Sequence, residues 1–232
     1  MTHLLCFETA TEICSVALSA DAECIACEED AEGHSHAEKI LELTGRCLKK
    51  AGLSVSEIDA FCVSSGPGSY TGLRIGVSTA KGMGYALSKP IIAVPTLEGI
   101  ANGAVMEHPE AEVFCPMIDA RRMEVYCALY DPQGNPLTEC TNLIVDENSF
   151  AAERQQKRIL FCGNGAAKCQ PLLQGTNSLF SSSGASARNL ISPAYRRWQR
   201  QQFEDVAYFE PFYLKAFIAG KPHVKGLEAP SR

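Results

Sequence analysis

No apolar run in this 232-residue chain approaches the length of a bilayer-spanning helix, so a helical membrane span is excluded. Positive charge is also scarce. Against 27 Asp and Glu stand 21 Lys and Arg, and the net charge of -6 leaves no global basic footprint for tight nucleic-acid binding by this chain alone. A Walker-type phosphate loop is missing, because no Gly-Lys-Ser/Thr follows Gly66-Pro67-Gly68-Ser69. No Ser/His/Asp order and no reactive Cys/His pairing marks a nucleophile. Histidine is sparse too: His34-Ser35-His36 stands at the mouth of a helix with no carboxylate motif beside it, which favours capping or surface roles over metal. Cysteine, by contrast, is plentiful. The odd count of 11, with Cys6, Cys62, Cys115, Cys127 and Cys162 inside apolar runs, suits reduced thiols acting as small hydrophobes. Cys24-Ile25-Ala26-Cys27 matches C-x-x-C, but on a strand those two positions face opposite ways and no second pair completes a zinc site. The opening residues read as a strand and not as a secretory signal, so the expected location is the cytoplasm.

The chain is organised around Ser64–Gly76. There an apolar strand (58–63) breaks at Gly-Pro-Gly and enters a helix capped by Ser69 or Thr71, reaching about Leu87 before Pro90. Gly72, Gly76, Ala80 and Gly84 place a small residue at every fourth position of that helix, near one face. Glycine inside a helix costs roughly 1 kcal/mol relative to alanine. Close approach of another helix would account for the stripe, from within the chain or from a second chain. Upstream, strands are expected at 4–8, 13–19 and 23–28. An amphipathic helix over 37–51 follows, with Ile40, Leu41, Leu43, Cys47 and Leu48 on its apolar side and Gly52 as its stop.

The second half repeats the opening. Strand 113–119 ends in Asp119 as strand 4–8 ends in Glu8, an offset of 111, and at the same offset Ala17-Leu18 falls on Ala128-Leu129. Further strands are expected at 123–130, 139–145 and 158–162, the last running into Gly163-Asn164-Gly165. Residues 178–184 read as a loop, and Ser192-Pro193 as the start of a helix over 193–203 carrying Arg196, Arg197 and Arg200. The tail from Ala219 has nothing with which to build a core. This order predicts a duplicated α/β protein of mixed sheets flanked by helices. The expected lobes are 1–100 and 101–205, with 206–218 packing back on the first and 219–232 as a mobile tail. A carboxylate at the end of each first strand and a Gly turn in each half lay out a nucleotide cleft. Glu8 or Asp119 would act on Mg²⁺ or water, the amides of Gly163 and Gly165 on phosphate, and Thr9 would belong to the same cleft, working or vestigial.

Three stretches together resemble the bacterial TsaB (YeaZ) family: Glu8–Leu18, Ser65–Gly82 and Ile118–Tyr126. Pro211-Phe-Tyr-Leu-Lys215 is similar to that family's C-terminal element. The resemblance implies the two-lobed actin-like ATPase fold (ASKHA, ribonuclease H-like). It also implies a non-catalytic role in making N6-threonylcarbamoyladenosine at position 37 of tRNA. The implied partners are a TsaD-type catalytic paralogue, a TsaE-type ATPase, a second copy when the chain is alone, and tRNA through the complex. Pairing would use the first two helices, here through Ile40, Leu41, Gly72, Leu73, Ile75, Gly76, Thr79, Ala80, Met83, Gly84 and Leu87. No cofactor of its own is implied, with ATP or ADP considered only at the partner junction. The catalytic paralogue carries H-x-x-x-H where this chain has Thr96 and Ile100, neither of which replaces imidazole on a transition metal, so no metal is expected. Two positions depart from the family pattern: Glu8 stands where Asp is usual, and Glu42 where a proline is common. Rival readings are an ATP-dependent transferase or kinase of the same fold, a metallopeptidase-like relative, and direct RNA binding through Arg196, Arg197 and Arg200.

Overall fold

The computed structural model describes residues 1–31 and 35–215, so His34 and the tail from Ala219 lie outside the described residues. Two five-stranded mixed sheets form the molecule. The first is built from β1 (His3–Glu8), β2 (Cys14–Ala20), β3 (Glu23–Asp30), β4 (Ala60–Ser64) and β5 (Ile91–Val94), in the order β3-β2-β1-β4-β5. The second holds β6 (Val113–Asp119), β7 (Glu124–Cys127), β8 (Thr141–Ile144), β9 (Ile159–Cys162) and β10 (Ser178–Phe180), in the order β10-β9-β6-β7-β8. Matching β1 with β6 and β4 with β9 gives the same arrangement twice. The repeat is therefore a topological one. Its register slips by one residue: Glu8 pairs with Ser15, whereas Asp119 pairs with Val125, so the second hairpin is one residue shorter. The offset of 111 thus holds for the carboxylates and fails for the returning strand.

Continuous apolar runs became central strands because both of their faces are covered. On one face of the first sheet, Leu5, Phe7, Val16, Phe61 and Val63 meet α1 (His36–Ala51) and α2 (Tyr70–Leu87) through Ile40, Leu43, Val77 and Ala80. On the other face, Leu4, Cys6, Cys62 and Ile92 meet Leu190, Ile191 and Ala194 at the start of α6 (Ile191–Gln199). The second sheet lies between α3 (Thr96–Glu107), with Leu97, Ile100 and Ala104, and α5 (Ala166–Leu173), with Cys169 and Leu173. A short α4 (Ala151–Gln156) lies before β9. α3 spans the expected division at 100 and sits under the second sheet, whereas α6, from within 101–205, sits under the first.

Several local expectations need correction. Residues 178–180 are not loop but β10, paired in parallel with β9. The last helix starts at Ile191 on a 3-10 turn capped by Ser186, places Pro193 inside its first turn, and ends at Gln199. Proline is tolerated anywhere in a first turn, where its missing N–H has no intrahelical acceptor, so Ser192-Pro193 marked the region and not the boundary. The strand expected over 123–130 stops at Cys127, and Tyr130 makes a separate bridge to Phe114. Cys24 and Cys27 do share a face. A bulge at Ile25 sets Cys24 opposite Ser19 and Cys27 opposite Ala17, two rungs apart on the same side, where Arg188 faces both. All eleven thiols are free.

Candidate functional site

The small-residue stripe of α2 is answered inside the chain. Ser69 caps the helix, its Oγ accepting from the Gly72 amide at 3.2 Å, and the Thr9 hydroxyl donates to the Gly72 carbonyl at 2.7 Å. A side chain on Gly72 or Gly76 would run into Thr9, and a Cβ on Gly84 would stand 3.0 Å from the Lys89 carbonyl oxygen. Gly72, Leu73, Gly76, Ala80 and Gly84 are all buried in this chain. Of the two neighbours that the stripe allowed, the one within the chain is present. The stripe brings α2 down onto the first hairpin turn and the sheet. Ile40 likewise faces the core and not outward.

The opposite face of α2 presents Arg74, Ser78, Gly82, Tyr85 and Ala86 to solvent, with Ile75, Thr79, Met83 and Leu87 half-buried at its flanks. Tyr85 is 83% exposed, and Leu41 on the neighbouring α1 is 59% exposed. Nothing lies within 4 Å of where a Cβ on Gly82 would point. Sequence reasoning missed Gly82 and Tyr85; the available signal was a bulky aromatic one residue past the buried Gly84. Residues 204–215 strap α2 from behind. Lys81 Nζ donates to the carbonyls of Ala207 and Phe209 at 3.1 and 3.0 Å, and the Phe212 amide donates to the Ser65 carbonyl at 2.7 Å. Tyr213 packs on Tyr70 with ring centroids 4.9 Å apart, and Lys215 reaches the second sheet to pair with Glu124.

Between the sheets lies a cleft of about 470 Å³, lined among others by Thr11, Glu12, Gly163, Asn164, Gln170 and Ser182. Of the five residues expected there, Gly163 alone lines it. Glu8 is buried, accepting from the Ala10 amide at 2.6 Å and the Ser64 hydroxyl at 2.9 Å. Burial pushes its carboxyl up to about 7, against the opposing pull of those two donors. Asp119 is exposed and pairs with Lys168. Desolvation opposes the shift, yet the Lys168 ammonium and the Arg121 amide hold its carboxyl below the usual range. The Gly163 and Gly165 amides donate to the carbonyls of Ser183 and Met117 at 2.8 and 2.9 Å, so neither is free for a phosphate. Across the cleft Asn164 Nδ2 donates to Glu12 Oε2 at 2.8 Å.

Two further expectations resolve into fold contacts. Thr96 is buried with its Oγ1 accepting from the Gly66 amide at 3.1 Å, and Ile100 belongs to the second core. Arg197 donates to both carboxylate oxygens of Glu98, at 2.9 and 2.7 Å, and Arg196 also pairs with Glu98, so the basic patch expected on α6 is largely engaged in the fold. Among the described residues no group of three or more His, Cys, Asp or Glu is placed to hold a metal ion. His36 Nε2 lies 2.9 Å from the Thr11 carbonyl oxygen, tying the start of α1 to the first hairpin turn.

Two lobes of identical strand order, with a cleft between them, define the actin-like ATPase class of α/β proteins. The ADPNP-bound activator of 2-hydroxyisocaproyl-CoA dehydratase from Clostridium difficile shares that fold, with a TM-score of 0.54 at 10% identity over 87% of this chain and 97% of its own. A Pseudomonas aeruginosa protein described as similar to the peptidase YeaZ superposes far better, with a TM-score of 0.83 at 29% identity over 93% of this chain and 100% of that one. The family model for tRNA N6-adenosine threonylcarbamoyltransferase, TsaD, matches residues 29–222. The tRNA threonylcarbamoyladenosine biosynthesis protein TsaB of Escherichia coli is 39% identical over 226 residues, covering 94% of this chain and 97% of its own. This chain belongs to the TsaB (YeaZ) family.

Proposed function

We propose that this chain is a non-catalytic subunit in the formation of N6-threonylcarbamoyladenosine on tRNA, and that it docks and activates a TsaD-type transferase. The Escherichia coli relative carries that pathway in its name, and the match to the TsaD model makes the implied partner a relative of this chain. One observation carries the docking surface. The outward faces of α1 and α2 expose Leu41 on the first and Tyr85 beside the open position of Gly82 on the second, with Ile75, Thr79, Met83 and Leu87 half-buried at the margin of α2. Exposed apolar residues on a rigid helical layer are what a partner helix pair would cover. Without the transferase a second copy would take the same face, and a TsaE-type ATPase would join the assembled pair. The non-catalytic reading is supported by Glu8, Asp119, Thr96 and Ile100 all being committed to contacts within the fold. ATP or ADP, where the assembly uses it, would belong to the junction, and the expected place of work is the cytoplasm.

The test is co-purification of the chain with its TsaD-type paralogue, read by light scattering on a sizing column. A stable pair is expected for the wild type, and loss of the pair for Gly82→Arg combined with Tyr85→Glu at unchanged melting temperature. Separate elution of the two wild-type proteins at micromolar concentration would refute the reading.

A further inference from the structure

Nine cations of this acidic chain have an acidic partner among the described residues. Lys39, Arg46, Lys50, Lys89, Arg158, Lys168, Arg196, Arg197 and Lys215 all stand in ion pairs. Arg121 and Arg122, at the tip of the β6–β7 hairpin, do not. Both are exposed, and neither side chain makes an ion pair or hydrogen bond with another described residue. Their backbone is unusual as well, with φ of 73° at Arg121 and 50° at Arg122, the left-handed region that Gly, Asn or Asp would occupy at lower cost. Two consecutive arginines held there at a cost to the fold point to a use for their side chains.

The surroundings strengthen the charge. Lys168 lies on Asp119 at the base of the hairpin and donates to the Glu124 carbonyl at 2.7 Å, and Lys215 pairs with the Glu124 carboxylate. The two carboxylates of the hairpin, Asp119 and Glu124, are thereby each paired with a lysine, although Arg121 still feels the charge of Asp119. Neither arginine lines the interlobe cleft.

We propose that the β6–β7 hairpin tip is an RNA contact in which Arg121 and Arg122 grip backbone phosphates. Guanidinium groups suit this because they are always charged and present paired donors to phosphate oxygens. Such contacts position an RNA without reading its sequence. The inference rests on the reading above, that the chain works in an assembly that modifies tRNA. It differs from the patch suggested by sequence alone, of which Arg196 and Arg197 serve Glu98.

The test uses the complete chain assembled with its TsaD-type partner and an unmodified tRNA transcript as probe. Arg121→Asn with Arg122→Asn suits the left-handed backbone, so this variant is expected to melt no lower than the wild type. Its Kd for the transcript should rise several-fold at about 0.1 M salt, and the slope of log affinity against log salt should fall by about 1–2, the loss of one or two phosphate contacts. An assembly that forms normally and binds tRNA with unchanged Kd and slope overturns this inference alone. So does a variant that loses only ATP affinity, or only the protein partner, because the arginines would then serve a free nucleotide or an acidic protein surface. A wild-type chain that never assembles with the transferase overturns the parent reading, and this one with it.

Discussion

The Thr9 hydroxyl donates to the Gly72 carbonyl at 2.7 Å, holding the first hairpin turn so near α2 that no side chain fits between them. That contact explains Gly72 and Gly76 and divides the helix into an inner face for the fold and an outer face toward solvent.

Paired alanine substitutions should separate the two faces. Gly76→Ala would drive a methyl group into Thr9 and is expected to cost about 1–3 kcal/mol, the usual penalty of overpacking. Gly82→Ala meets open space and should gain up to about 1 kcal/mol from helix propensity alone. Urea midpoints of the two variants check this; shifts of the same sign would contradict the division.

Glu8 should make stability fall with rising pH. Its carboxyl ionises near 7 in the folded chain and near 4.5 when unfolded, because burial disfavours the charge. Between those values the folded state holds a proton that the unfolded state has released. Its contribution is therefore complete below about 4.5, declines through about 7 and is flat above, a total of about 3 kcal/mol. Glu8→Gln keeps an oxygen to accept from Ala10 and Ser64 and removes the titration. Wild type minus variant, measured by denaturant unfolding at several pH values, isolates the effect from other carboxylates. Parallel profiles would rule it out.

Glu98 secures α6 against α3 through Arg197. Glu98→Ala would leave Arg197 partly buried without its carboxylate, and partial exposure moderates the cost to about 1–3 kcal/mol. Thermal unfolding of Glu98→Ala beside Glu98→Gln measures it, with the glutamine variant expected to lose less.

Much of this arrangement was legible in the residues. The apolar runs ending in Glu8 and Asp119 became β1 and β6, because continuous burial leaves a strand pattern little ambiguity. Gly52 stopped α1 in the left-handed conformation at φ 69°. What stayed hidden depends on contacts distant in sequence. Spacing of four identifies a face of α2 but cannot say what lies opposite it, and the answer, Thr9, is 63 residues away. The bulge that aligns Cys24 with Cys27 arises from pairing with β2, which alternation along β3 alone cannot reveal. The arginines of α6 read as a free patch because Glu98, 99 residues from Arg197, gives no local sign of meeting them.

The most direct measurement is the rate at which a TsaD-type transferase, given its threonylcarbamoyl donor, modifies an unmodified tRNA transcript with and without this chain. Negligible turnover by this chain alone, strong stimulation of the transferase by the wild type and none by Gly82→Arg with Tyr85→Glu are the predicted results. Modification by the isolated chain, or an equal rate in its absence, would contradict the account.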